Sequence, residues 1–182
     1  MEDTEARHRF EELYAGAYRK VLAYSIQRTP SREDADEVVA ETFLVAWRRL
    51  EDVLAADNSL AWLFGVAYRV LANQRRQQER RERLELRLGA GVEQSFPDTA
   101  HRRVESRDLL VEVTELLNEL PPRYQEVLRL TAYQGCSPVE IASILQIPPS
   151  LARTLLYRAR RRLRRILDER HPGWGLVLEE PE

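Results

Sequence analysis

The stretch from Gly135 to Arg165, GCSPVEIASILQIPPSLARTLLYRARRRLRR, leaves the chain few options, because its prolines and cap residues mark helix ends without help from any tertiary contact. Ser137 offers a hydroxyl to the free N–H groups of a first turn, Pro138 suits the first helical position, and Glu140 completes a capping box. A short helix therefore starts there, with Ile141, Ala142 and Leu145 as its apolar stripe. Pro148 and Pro149 stop it, since proline has no N–H to donate and drives its predecessor out of the helical region. Pro149 then opens a second, longer helix.

Placed at about 100° per residue, that longer helix separates into two sides. Ala152, Leu155, Leu156, Ala159, Leu163, Ile166 and Leu167 fall together, and Ser150, Arg153, Thr154, Tyr157, Arg161 and Arg164 fall opposite them, flanked by Arg158 and Arg165. Two helices joined by a tight turn, the second presenting Arg, Thr and Tyr, form the unit that enters the major groove of DNA. The bland alternative is a solvated surface helix. Such a helix mixes signs into i,i+4 pairs, whereas seven arginines lie between Arg153 and Arg165 with no acidic residue until Asp168. Duplex nucleic acid is thus the expected partner of Ser150, Arg153, Thr154, Tyr157, Arg158 and Arg161.

Upstream, Phe10, Leu13, Tyr14, Ala17, Val21 and Tyr24 recur at helical spacing, and Thr29-Pro30 ends that helix. Ser31 caps the next, whose acidic first turns suit the positive end of the helix dipole. Ala35, Val39, Phe43, Ala46 and Leu50 form its core stripe. A second face of Asp34, Glu37, Val38, Glu41 and Val45 fits either a protein partner or plain solvation. Residues 51–60 read as a loop ending in the capping cluster Asp57-Asn58-Ser59, and a long helix begins near Leu60. On it Trp62, Arg69, Asn73, Arg76, Arg80, Arg83 and Arg87 lie within about 40° of one line, opposite Leu63, Phe64, Ala67, Val70 and Leu71. A ring, an amide and five arginines on one line suit single-stranded nucleic acid. Pairing of those arginines with Glu79, Glu82 and Glu85 is the competing reading.

Residues 89–103 carry glycines, proline and small polar residues without periodicity and read as a flexible linker. Beyond it, Leu109, Leu110, Val113, Leu116, Leu117 and Leu120 stripe a helix broken by Pro121-Pro122. Tyr124, Val127, Leu128 and Thr131 line another, closed by Gly135. The expectation is an all-α chain: a helical domain over 1–88, a linker over 89–103, a helix-turn-helix domain over 104–170 and an acidic tail over 171–182, where Trp174, Leu176 and Leu178 could dock.

Composition matters mainly through its distribution. The 182-residue chain has a formal charge of −2, yet residues 61–87 carry +4 and residues 153–170 carry +6, against −5 over residues 1–60. Twenty-seven of its 28 basic residues are arginine, a composition bias that weakens any argument from a single arginine's identity. Cys136 has no cysteine to pair with, and His8, His101 and His171 are too scattered to hold zinc. With no Gly-rich phosphate loop or paired catalytic groups, neither enzyme activity, a cofactor nor a metal site is expected. No signal peptide or membrane span is evident, and a cytoplasmic location is expected.

The segments DADEVVAETFLVAWRRL, AWLFGVAYRVLANQRRQQERR, LNELPPRYQEVLRL and EIASILQI…LYRARRRL, in that order over roughly residues 8–168, resemble the extracytoplasmic-function (ECF) subgroup of bacterial sigma factors. That resemblance implies an alternative sigma factor directing promoter recognition, melting and transcription initiation. The helix from Asp34 to Trp47 would bind the clamp helices of the largest subunit of core RNA polymerase. The melted −10 element would meet the loop before Trp62 and the helix after it, through Asn58, Ser59, Trp62, Arg69, Asn73, Arg76 and Arg80. Asn58 and Ser59 are the expected pocket for an extruded base, and the helix from Ser150 would read the −35 duplex. The resemblance further implies an anti-sigma factor as a partner, which no residue here specifies. The sequence departs from the family pattern at Ala40, Arg69, Asn73, Gln146, Leu151 and Leu155, which bears on the promoter sequence read. The rival reading is a helix-turn-helix regulator that binds an operator without polymerase; it needs a dimer interface, and no heptad or apolar outer face supplies one.

Overall fold

The computed structural model describes residues 2–87 and 115–171, which are helix and short turns with no strand among them. Two compact units divide the chain, Met1–His101 and Arg102–Glu182. The expected linker, the helix start with Leu109, Leu110 and Val113, the Arg87 side chain and the tail with Trp174, Leu176 and Leu178 lie outside the described residues.

In the first unit α1 (Glu2–Ile26), α2 (Arg32–Arg48), the one-and-a-half-turn α3 (Leu50–Ala55) and α4 (Ser59–Arg87) follow one another. Helix α2 packs against both α1 and α4, so it buries a stripe wider than one helical face. Ala35, Val38, Val39, Thr42, Phe43 and Ala46 are all buried there. Across the same core Tyr24 stacks on Phe64 with ring centroids 5.0 Å apart. Buried hydroxyls are satisfied within their own helices. Ser25 Oγ donates to the Val21 carbonyl at 2.9 Å and Thr42 Oγ1 to the Val38 carbonyl at 2.7 Å, which removes the cost of a buried unpaired donor. Ser31 caps α2 as expected, its Oγ accepting from the Asp34 N–H at 3.0 Å.

Residues 51–60 are not all loop. Leu50 and Val53 are buried, Glu51 and Asp52 sit in the first turn of α3, and the Val53 N–H reaches the Arg49 carbonyl at 3.1 Å. Two apolar residues three apart were too little periodicity to reveal a helix of six residues.

In the second unit, residues 115–118 are helical, and α5 (Pro122–Gln134), α6 (Pro138–Leu145) and α7 (Pro149–Arg170) follow. Leu116, Leu130, Ile141 and Ile144 are fully buried. The capping box at Ser137 is complete: the Glu140 N–H donates to Ser137 Oγ at 3.3 Å and the Ser137 N–H to Glu140 Oε2 at 2.7 Å. Helix α5 ends on Gly135 at φ 64°. Helix α6 ends on Gln146 at φ 54°, with the Ile147 N–H on the Ala142 carbonyl at 3.0 Å. Both ends need the left-handed conformation that lets the chain reverse, and Gln146 adopts it with a Cβ in the way.

Gln146→Gly should therefore stabilise the second unit by about 1 kcal/mol through relief of that backbone strain. A higher denaturant midpoint in a circular-dichroism titration is the expected result; an unchanged or lower midpoint would mean that the Gln146 side chain compensates the strain.

Candidate nucleic-acid interface

The tight turn 146–148 sets the angle between α6 and α7, and the packing of α7 on α5 and α6 sets its rotation. Ala152, Leu156, Ala159 and Ile166 are buried, which turns the opposite side outward. Ser150, Arg153, Thr154, Tyr157, Arg158 and Arg161 are all exposed, Tyr157 by 57%. Thr154 Oγ1 donates to the Ser150 carbonyl at 2.9 Å and Arg153 Nε to the Pro149 carbonyl at 3.4 Å, so both side chains stay close to the helix surface. Carboxylates on α7 come only at its far end, where Glu169 pairs with Arg165 at 3.6 Å. Arg170 pairs with Glu119. Among the described residues no carboxylate comes within ion-pair distance of Arg153, Arg158 or Arg161.

The stripe on α4 is likewise turned outward. Leu63, Phe64, Ala67 and Val70 are buried, while Arg69, Asn73, Arg76, Arg80 and Arg83 are exposed. Glu82, a possible partner for the arginines, instead accepts from Gln78 Nε2 at 2.9 Å. Among the described residues Arg69, Arg76 and Arg80 meet no carboxylate at ion-pair distance. Trp62, half-buried, stands at the head of the stripe with the Arg49 guanidinium carbon 5.7 Å from its ring centroid.

The two residues expected to form a base pocket also hold the head of α4 in place. Asn58 is the N-cap of α4, its Oδ1 accepting from the Ala61 N–H at 3.0 Å. Ser59 Oγ donates to the Val53 carbonyl at 2.8 Å and so ties the head of α4 to α3.

The α2 face needs one correction. Val38 is fully buried and cannot belong to an exposed surface, because α2 lies between two helices and loses that side to the core. Glu37 and Glu41 are exposed, and the exposed neighbours they gain are Ala40 and Leu44, the latter 47% exposed. Leu44 lies one turn beyond Glu41 and two turns beyond Glu37, a spacing that could have marked it. Asp34 is half-buried and accepts from the Ser31 hydroxyl at 2.6 Å. Val45 is half-buried, and Trp47, 40% exposed, sets its ring edgewise to Phe10 at 5.1 Å. Beside this face Arg32 is held above its ordinary pKa by its hydrogen bond to Asp36. Among the described residues there is no cluster of side chains able to hold a metal ion and no helix long and apolar enough to cross a membrane.

Two family profiles match these two units: Sigma-70 region 2 over residues 13–81, and Sigma-70, region 4 over residues 110–163. The ECF RNA polymerase sigma factor SigL of Mycobacterium tuberculosis is 31% identical over 148 residues, covering 80% of this chain and 81% of its own. This chain belongs to the ECF family of RNA polymerase sigma factors. The RNA polymerase sigma factor YlaC of Bacillus subtilis is 29% identical over 163 residues, 87% of this chain and 92% of its own. The fold is shared with the sigma factor RpoE from Bartonella quintana, solved in complex with the anti-sigma factor NepR, at a TM-score of 0.66 and 24% identity over 87% of this chain and 96% of that one.

An ECF sigma factor directs core RNA polymerase to promoter DNA, so membership favours that reading over a regulator acting apart from polymerase. The family departures now have places in the fold. Gln146 occupies the left-handed turn position, Leu155 is half-buried, and Leu151 is an exposed apolar side chain on the first turn of α7.

Because Asn58 caps α4, Asn58→Ala should cost about 1 kcal/mol of stability whatever its effect on transcription, while Asn58→Asp keeps the cap. Thermal melting of the two variants checks this. Equal stability of both would show that the cap contributes nothing.

Proposed function

We propose that the two units divide promoter recognition between them, the domain over 1–88 taking polymerase and the melted −10 strand and the domain over 104–170 taking the −35 duplex. Helix α7 enters the major groove. Its N-terminal residues Ser150, Thr154 and Tyr157 meet base edges and sugars there, and Arg153, Arg158 and Arg161 neutralise phosphates. The α4 stripe follows the opened strand, with Trp62 as a stacking surface and Arg69, Asn73, Arg76 and Arg80 along the backbone. Asn58 and Ser59, in the loop in front of Trp62, receive an extruded base of that strand. The face of Asp34, Glu37, Glu41, Val45 and Trp47, together with Leu44, engages the clamp helices of the largest polymerase subunit. The observation that carries this reading is the exposure of Arg153, Arg158 and Arg161 on α7 and of Arg69, Arg76 and Arg80 on α4, with no carboxylate among the described residues at ion-pair distance from any of the six.

On the same reading the chain is a non-catalytic subunit that works in the cytoplasm, without cofactor or metal. An anti-sigma factor is its expected inhibitor, by analogy with the complex of the Bartonella protein. Promoter opening is assigned to strand capture because each unstacked step costs on the order of 1.4 kcal/mol, which contacts to the freed strand must offset.

Initiation by core polymerase plus this chain on a promoter library tests the reading directly, and a chain that binds duplex without supporting initiation defeats it. Arg153→Ala and Arg158→Ala should each weaken promoter binding and flatten its log–log salt dependence by about 0.9. An unaltered slope would remove those side chains from the phosphate contacts. Reversing Glu37 and Glu41 to Lys should abolish co-purification with core polymerase while helical content is retained; normal co-purification would refute that face.

A further inference from the structure

Arg49 stands at the junction of α2 and α3, and the fold fixes its backbone from both sides. Its N–H donates to the Val45 carbonyl at 3.0 Å and its carbonyl accepts from the Val53 N–H at 3.1 Å. From that point the side chain reaches over Trp62, with the guanidinium carbon 5.7 Å from the ring centroid. Its Nε donates to Asp52 Oδ2 at 2.7 Å, and the two side chains are 56% and 54% exposed. An exposed pair of this kind adds little to stability, so holding the fold together is a weak reason for it. What the pair does achieve is placement: a planar cation beside the one aromatic ring at the head of the α4 stripe, next to the Asn58 loop.

Ring and cation match the two parts of an unpaired nucleotide, a flat base with a π face and an anionic phosphate one sugar away. We propose that Arg49 and Trp62 form a single nucleotide subsite, in which an unpaired base lies against the exposed part of the Trp62 ring and the adjoining phosphate displaces Asp52 from the guanidinium. Asp52 is then a placeholder that keeps the guanidinium turned toward the ring until the strand arrives. A phosphate carries the same sign and accepts the same planar fork, so the exchange leaves Arg49 paired before and after. This subsite rests on the assignment of the α4 stripe to the melted strand and adds to it a residue from the opposite side of the loop.

The test uses holoenzyme assembled from the full chain and core polymerase. The probe is the labelled non-template strand of a promoter recovered from the library, with methylphosphonate replacing one phosphate at a time. Arg49→Ala should weaken strand binding about tenfold, the loss of one charge-assisted contact, and lower the salt slope by about 0.7. At one methylphosphonate position the loss seen with the unaltered protein should vanish in Arg49→Ala, because the contact is already gone. Asp52→Asn should leave binding unchanged or tighter, since a competing carboxylate is removed. Independent, additive losses at every position, or weakening by Asp52→Asn equal to that of Arg49→Ala, would overturn the subsite and reduce the pair to a support for Trp62. Arg76→Ala and Arg80→Ala separate the two levels: if they weaken strand binding and Arg49→Ala does not, only the subsite fails, and if none of the three does, the α4 assignment fails with it.

Discussion

Burial of one side of α7 is the interaction on which the second unit's purpose rests. Ala152, Leu156, Ala159 and Ile166 are held against α5 and α6, and a helix so fixed cannot rotate. The opposite side, six exposed polar and basic residues over three turns, is thereby presented as a rigid surface. Rigidity matters for reading DNA because bidentate contacts to base edges tolerate little displacement, whereas phosphate contacts alone would tolerate much more.

The first unit uses the same device on a different geometry. Helix α4 gives Leu63, Phe64, Ala67 and Val70 to the core and leaves its arginine stripe outside, while α2 is gripped on two sides and retains only a narrow exposed strip. That strip, Glu37, Ala40, Glu41 and Leu44, is acidic with an apolar centre. On the proposed reading, acidic and basic surfaces on one small unit orient it: a DNA strand is repelled by one and drawn to the other, and long-range steering acts before any contact forms. A net charge of −2 conceals this arrangement, since the field near each helix depends on local rows and not on the sum.

Around the head of α4 several small polar links meet. Asn58 caps the helix, Ser59 ties it to α3, and Arg49 joins Asp52 and lies over Trp62. Each link alone is modest, yet together they fix the loop preceding Trp62 against α3 and the end of α2. The proposed strand capture would benefit from such preorganisation, because a loop already ordered loses less entropy when a base settles against it.

Much of this was legible without coordinates. Helix ends follow from residues that act on their immediate neighbours: the Ser31 cap, the Ser137–Glu140 box, Gly135 in the left-handed turn and the prolines at 121–122 and 148–149. The outward arginine rows follow from periodicity, since a helix with one apolar side must hide it. Three things needed the tertiary structure. Val38 looked like surface because one helix seen alone buries one face, and only the packing of α2 between α1 and α4 buries a second. The α3 turn escaped because two buried residues make no period. Asn58, Ser59 and Arg49 have partners and roles set by where distant elements come to rest, and the spacing of residues along the chain holds no record of that. Local hydrogen bonding and helical period are written in neighbouring residues, so the sequence alone determined the longer helices and their charged sides; the short α3, which sides stay exposed and which polar atoms are already engaged were decided when the helices packed.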